Sequence, residues 1–222
     1  MTDDYYPHQA FSSSPCYAHE FESLSMEVDP HDKQQVSQWR KQERQRLLRL
    51  RMQEFDGIEP CAKRVISELS SLIEPYPGLV ISAYWPMRGE FDLRDWFYQL
   101  IDQKMRVALP AVESRFQPLI FREWTPNTKM EPGVWNISVP AEGERLTPDI
   151  VIVPVVGFDA ECFRLGYGGG YFDRTLAQLP DKPLVIGVGP AFSRVATIYP
   201  QAHDIPMDMI VTGSGDPYYR NK

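Results

Sequence analysis

Apolar and polar residues follow two different rhythms along this chain, and the change of rhythm divides it into elements. Ile58, Cys61, Ala62, Val65, Ile66, Leu69, Leu72 and Ile73 recur at spacings of three and four. That predicts an amphipathic helix, ended by Pro75 and Pro77. Upstream, Asp32 followed by Gln35 has the form of an N-cap with its capping-box partner, which predicts a helix to about Phe55, stopped by Gly57. Downstream the pattern alternates. Leu79–Tyr84 reads as a strand, Asp92–Gln103 as a helix with Leu93, Trp96, Phe97, Leu100 and Ile101 inward, and Met105–Leu109 as a strand. Shorter strands are expected over 117–124 and 134–139. Asp149–Val156 is a nearly continuous β-branched run, followed by a Gly-rich loop and a helix over about Tyr171–Leu179; Leu184–Val188 and Met209–Val211 are further strands. Continuous apolar strands between helices are the pattern of parallel strands covered on both faces. The fold class expected is α/β: a three-layer, doubly wound, mostly parallel sheet with helices on both faces and a Gly-rich phosphate loop.

The ends of the chain do not share this pattern. Residues 1–32 have no sustained period and are rich in Ser, Pro and acids, so they read as a disordered N-terminal extension. They lack the apolar core of a signal peptide and the arginines of a transit peptide. One α/β domain over 33–213 and a C-terminal tail over 214–222 complete the expected organisation of the 222 residues. The longest apolar stretch, Ile150 to Phe158, is about half the ~20 residues that a membrane-spanning helix needs. Cysteines 16, 61 and 162 form no metal-ligand spacing and leave an odd thiol, which fits a reducing cytoplasm.

Charge changes the picture once it is located. The net charge of −7 argues against a general nucleic-acid binder. Yet residues 1–32 carry −7, residues 33–51 carry +6 and residues 52–222 carry −6, so the first helix is strongly cationic inside an acidic protein. Arg40, Lys41, Arg44, Arg46, Arg49 and Arg51 are compatible with a solvated face, a weak RNA patch or a partner anion.

Three loops follow predicted strands, where α/β sheets bind their ligands. The first is RLGYGGGYFDR, residues 164–174, with glycines at 166 and 168–170. Glycines permit positive φ and close backbone approach, and free N–H groups at a helix start attract anions. No Lys-Ser/Thr follows, and Tyr171 breaks G-x-G-x-x-G, so neither common nucleotide motif is present. A flexible surface turn and a phosphate loop flanked by Arg164 and Arg174 both remain open. The second loop, Tyr84–Asp92, offers an aromatic plate at Trp85, a carboxylate at Glu90 and a helix cap at Asp92. A carboxylate beside an aromatic suits the donor edge of a pterin-like heterocycle; packing for Trp85 and solvation for Glu90 is the plainer alternative. The third loop, His203–Asp208, holds a lone His of the kind that is more often structural than a metal ligand.

The segment GFDAECFRLGYGGGYFDR closely resembles the signature of the 5-formyltetrahydrofolate cyclo-ligases (methenyltetrahydrofolate synthetases), and the resemblance extends over roughly 33–213. It implies an ATP-binding loop made by Arg164, Leu165, Gly166, Tyr167, Gly168, Gly169, Gly170, Tyr171, Phe172 and Asp173, with Arg40 as a nucleotide-binding arginine on the first helix. Asp173 and Asp204 would hold Mg²⁺, a cation that prefers hard oxygen donors. Trp85, Glu90, Trp135, Tyr171 and Phe172 would line the folate pocket. Arg40, Arg164 and Asp173 would carry the catalytic charge. Val36 stands where many members have lysine, Tyr167 where many have a basic residue, and Phe172 where tyrosine is common.

The implied reaction is ATP- and Mg²⁺-dependent cyclisation of 5-formyltetrahydrofolate, polyglutamylated or not, to 5,10-methenyltetrahydrofolate with release of ADP and phosphate. No Ser-His-Asp or Cys-His arrangement is needed for it, and Cys162 reads as packing. A cytoplasmic monomer with no membrane or nucleic-acid partner is expected. The departures at Val36 and Tyr167 keep open a non-catalytic folate- or nucleotide-binding member of the fold, and the basic helix an RNA-contacting accessory protein.

Overall fold

The Asp32 carboxylate accepts hydrogen bonds from the Gln34 and Gln35 amides at 2.8 and 3.1 Å, and this cap opens the first helix, α1, Lys33–Gln53. Gln35 reaches back to the Asp32 carboxylate and to the Asp29 amide, a variation on the expected capping box. In the computed structural model, which describes residues 28–54 and 58–220, the further elements are α2 (Ile58–Leu72), β1 (Val80–Ser82), α3 (Arg94–Asp102), β2 (Arg106–Ala111), β3 (Ile120–Trp124), β4 (Met130–Pro132), β5 (Ser138–Pro140), β6 (Ile150–Pro154), β7 (Gly157–Phe158), β8 (Arg164–Leu165), α4 (Tyr171–Gln178), β9 (Leu184–Val188), β10 (Met209–Val211) and β11 (Tyr218–Tyr219).

Seven strands form the main sheet in the order β11-β10-β9-β6-β1-β2-β3. The five central ones are parallel, and β3 and β11 are antiparallel edges. Side-chain alternation along each strand sends apolar groups to both faces. On β6, Ile150 and Ile152 join the core beneath α2 and α3, with Val65, Leu69, Trp96 and Phe97; Val151 and Val153 join the opposite core, where Phe172 and Leu176 of α4 pack. The doubly wound, three-layer expectation therefore holds. The third cluster seats α1: Val36, Trp39 and Leu47 meet Val156, Leu165, Val195 and Ile198. A Cβ on Gly157 would stand 2.6 Å from Leu47, so the hairpin β7–β8 accepts the helix only without a side chain there.

Several boundaries differ from expectation. The α3 helix starts at Arg94 rather than Asp92, because the Asp92 carboxylate takes the Arg94 amide two residues ahead and the helix opens after Leu93. The stretch expected as a strand over 134–139 begins as a 3₁₀ turn, Val134–Asn136, with Trp135 and Asn136 both at positive φ (58° and 59°), and only then enters β5. Residues 214–222, read as a tail, carry β11, which pairs with β10. The helix stop at 55–57 and most of the N-terminal extension, 1–27, lie outside the described residues. The extension's last residues belong to the domain, since Val28 is buried in the α1 cluster. A chain beginning at Lys33 should have a lower urea midpoint than one beginning at Val28, with Val28 alone contributing about 1 kcal/mol.

Candidate functional site

The strand order reverses direction between β1 and β6, and the crevice at the carboxyl ends of these two strands is where such sheets bind ligands. The loop after β1 brings Tyr84, Trp85 and Glu90 to it. The hairpin after β6 delivers the Gly-rich loop, the segment after β9 delivers Gln201–Asp204, and α1 lies along one wall. These elements enclose a cleft of about 710 Å³, a size suited to a small-molecule ligand. The candidate residues Arg40, Trp85, Glu90, Trp135, the run Arg164–Asp173 and Asp204 line it, whereas Arg46, Arg49, Arg51, Asp92 and Arg174 do not. Five cationic and three acidic side chains face it, so the cleft of this acidic protein is locally positive.

The loop's glycines have distinct reasons. Gly168 (φ 94°) and Gly170 (φ 63°, the residue capping α4) occupy the left-handed region, as expected of a loop that turns into a helix start. Gly166 has open space where a Cβ would be, which leaves the cleft wall free for a ligand to approach the backbone. Arg174 braces the loop through the Gly169 carbonyl at 2.5 Å, its guanidinium over the Tyr171 ring. Trp135 stands over the same loop, edge-on to Tyr171 at 5.7 Å. It is 56% exposed and left-handed, an unusual state for a large aromatic and one found where structure is held for function.

The two aspartates behave differently. Asp173, in the first turn of α4, receives the Arg164 guanidinium at 3.0 Å and the Ile205 amide at 3.1 Å, both on Oδ1. Its Oδ2 has no hydrogen-bond partner among the described residues. Asp204 has both oxygens engaged, by Arg40 (2.5 and 3.3 Å) and the Gln201 amide (2.6 Å). Burial works to raise its pKa, but these hydrogen bonds outweigh it and hold the carboxyl below its ordinary value. Among the described residues no cluster of three or more His, Cys, Asp or Glu side chains is gathered for a metal. Asp173 and Asp204 could hold a hard cation only with further oxygen donors completing the set, and of the two Asp173 is better placed, because one of its oxygens has no partner among the described residues. His203, 3.7 Å from Asp204, is largely exposed.

Arg40 and Arg164 are less available than a bare motif suggests. Arg40 donates to Ile198 O (2.9 Å), Tyr199 O (2.8 Å) and Asp204, and Arg164 is buried between Asp173, Ile205 O and the Phe172 ring. Arg44 is a site residue that loop motifs do not reveal. Its Nε donates to Gly166 O at 2.6 Å, and its terminal nitrogens lie against Gly168 with no partner among the described residues. Burial and the neighbouring Arg40 lower its pKa, a strain that an anion would relieve. Its signal in the sequence is the i+4 spacing from Arg40 on one helix face. Lys33 and Lys41 also line the cleft, and so does Val36 between them, which is 2% exposed and packs in the α1 cluster.

Tyr167 lines the cleft beside the loop after β1. Its hydroxyl donates to Glu90 Oε1 at 2.9 Å, and the Arg51 guanidinium lies on its other side at 3.5 Å. Glu90 Oε2 accepts the Met87 amide at 3.0 Å. Burial raises the Glu90 pKa to about 7 even though the Met87 amide, Tyr167, Arg51 and Arg88 all pull it down. Cys162 packs as expected: it is buried, and burial beside Asp159 and Glu161 pushes its thiol up to about 11.

A family model described as the 5-formyltetrahydrofolate cyclo-ligase family matches residues 36–213. The chain is similar to the 5-formyltetrahydrofolate cyclo-ligase of Mycoplasma pneumoniae, 27% identical over 151 residues, which are 67% of this chain and 82% of that protein. It is likewise similar to the enzyme of that name from Haemophilus influenzae, 28% identical over 152 residues, 64% and 80% of the two chains. Among solved structures, the Aquifex aeolicus 5,10-methenyltetrahydrofolate synthetase superposes with a TM-score of 0.70 at 32% identity, covering 82% of this chain and 93% of that one.

Proposed function

Since the chain belongs to the 5-formyltetrahydrofolate cyclo-ligase family, we propose that its cleft binds 5-formyltetrahydrofolate beside ATP and performs the ATP-dependent cyclisation to 5,10-methenyltetrahydrofolate. The observation that carries this reading is the polarity of the cleft. Its α1 and Gly-loop end is cationic and open at the backbone, and its β1 end pairs a recessed carboxylate with aromatic rings. A triphosphate suits the first and a heterocycle with a donor edge the second.

The chemistry asks mainly for positioning and charge neutralisation. A formamide oxygen is a poor leaving group. Transfer of the γ-phosphoryl to that oxygen makes it a good one, N10 attacks the activated carbon, and phosphate departs. Arg44 and the Gly-loop amides would meet the phosphates, with Lys33 and Lys41 adding positive potential at the rim. Arg164 holds Asp173, and Arg40 holds Asp204, on either side of the transferring group. A magnesium ion bound through Asp173 would neutralise phosphate charge. Trp135, Tyr171 and Phe172 would flank the folate ring, and Glu90 would accept its donor edge. Among the described residues no helix is long and apolar enough to cross a membrane.

Purified protein mixed with MgATP and 5-formyltetrahydrofolate should develop the methenyl chromophore only when ATP is present. Folate binding without that product would replace the enzyme with a binding protein of the same fold. Glu90→Gln should raise the KM for 5-formyltetrahydrofolate about tenfold, the value of one charge-assisted hydrogen bond. Its KM for ATP should stay unchanged; equal rises in both would remove Glu90 from the folate end.

A further inference from the structure

Arg51 is 1% exposed, yet it carries a full charge and five N–H donors. Its Nη2 donates to Val155 O at 2.5 Å, its Nη1 reaches only Tyr167 Oη at 3.5 Å, and its Nε has no partner. Burying a guanidinium so sparsely bonded is costly unless a nearby anion compensates. Arg51 lies eleven residues beyond Arg40 on α1, about 16 Å along the helix axis, and so at the far end from the proposed phosphates. The hydrogen-bonded path from it leads to one carboxylate. Tyr167 takes up Arg51 on one side and donates to Glu90 on the other, linking α1, the end of β6, the Gly-rich loop and the loop after β1.

We infer that Arg51 is a positioning residue: acting through Tyr167, it holds the Glu90 carboxyl aimed at the donor edge of the bound heterocycle and favours its charged form. The inference rests on the reading that places the folate ring at Glu90. The Met87 amide and the Tyr167 hydroxyl bond Glu90 directly and favour its charged form more strongly, and of the two arginines near it Arg51 has the stronger pull. Arg88, on Glu90's own loop, is exposed and sits 5.9 Å over the Tyr167 ring, where water screens it. Tyr84, at the end of β1, spends its hydroxyl on Phe91 O at 2.9 Å. Arg51 is the charge that acts on Glu90 from the dry side. It acts in the same sense on the phenols of Tyr84 and Tyr167, whose pKa values burial raises and Arg51 lowers.

The test compares Arg51→Met, which keeps length and apolar volume, with Arg51→Lys, which keeps the charge. Glutamate side-chain carboxyls labelled with ¹³C are followed by NMR against pH, and the Glu90 resonance is assigned by its loss in Glu90→Gln. In the wild type it should titrate near pH 7. Arg51→Met should move its midpoint up by about one unit, and Arg51→Lys should leave it close to wild type. An ionised carboxylate accepts the substrate's N–H groups and a protonated one does not. At pH 7, Arg51→Met should therefore raise the KM for 5-formyltetrahydrofolate about fivefold, with the KM for ATP unchanged. An unmoved Glu90 titration in Arg51→Met overturns the inference, and so does a moved titration without a change in the folate KM. Should Arg51→Met fail to fold, Tyr167→Phe cuts the link while keeping both charges. It must shift Glu90 in the same direction, and no shift is equally fatal. Wild-type protein that makes no methenyl product overturns the functional reading instead, and the NMR titration still decides the coupling of Arg51 to Glu90.

Discussion

Asp173→Asn is expected to lower kcat for the ATP-dependent cyclisation by about 10³-fold, the scale on which an enzyme loses one well-placed electrostatic group. The substitution keeps the size of the side chain and an oxygen for the Ile205 amide, so the start of α4 should survive. Two things are removed at once. The oxygen that has no protein partner loses its charge, and with it the affinity for a hard cation. Arg164, buried at 7% exposure, loses the anion that compensates it and retains the Ile205 carbonyl. The second loss costs about 1–3 kcal/mol of stability by itself. Kinetics should therefore be read beside a denaturation curve, well below the variant's own midpoint. A folded variant with wild-type kcat would remove Asp173 from the phosphoryl-transfer machinery. Titrating Mg²⁺ separates the contributions: if the carboxylate is a ligand, the residual activity should need far more metal for saturation.

The features on which this prediction depends were readable in the sequence to different degrees. The run Asp149–Val156 announced β6 because a parallel strand buried on both faces must be apolar at every position. The helix α2 was equally legible, since its stripe satisfies a single local period. Short elements were not. The hairpin β7–β8 and the strand β11 are two residues to each strand, and their pairing partners decide them, not their own composition. Trp135 and Asn136 took left-handed backbone where an extended run was expected, because the turn must carry the tryptophan over the Gly loop. The candidate site was legible as three separate loops, since strand–loop–helix order already puts them at one edge of the sheet. The contacts within it were not. Arg40 and Asp204 lie 164 positions apart, and Arg51, Glu90 and Tyr167 come from three different elements. No local pattern encodes such a partnership. The cationic face of α1 illustrates the difference. Composition treats its arginines alike, while the fold gives Arg40 to a clamp, Arg44 to the loop and Arg51 to the interior.

That clamp is the second place where a single change should have a large effect. Arg40→Met should destabilise the protein by about 3 kcal/mol at pH 7, the usual cost of stranding one partner of a nearly buried pair. It should also lower kcat/KM for ATP about 10²-fold, because α1 would lose its tie to the segment Ile198–Asp204 that forms the opposite wall. The stability effect has a pH signature with a definite sign. In the wild type the Asp204 carboxyl is held below its unfolded value, so its contribution is present above that value and is lost as pH falls through the folded one. Without Arg40, burial is opposed by the Gln201 amide and the weaker pull of His203, and the folded value should rise. The variant then gains relative stability as acid neutralises Asp204. The gap between the two proteins in urea should be widest near neutrality and should already narrow between pH 7 and pH 4, as the variant's raised Asp204 takes up its proton, and narrow further below about pH 4 as the wild type loses its own contribution. A gap that stays constant from pH 7 to pH 4 would mean that Arg40 acts through the Ile198 and Tyr199 carbonyls alone. In that case Asp204 would keep its charge without the arginine and stand ready as a second carboxylate for the metal.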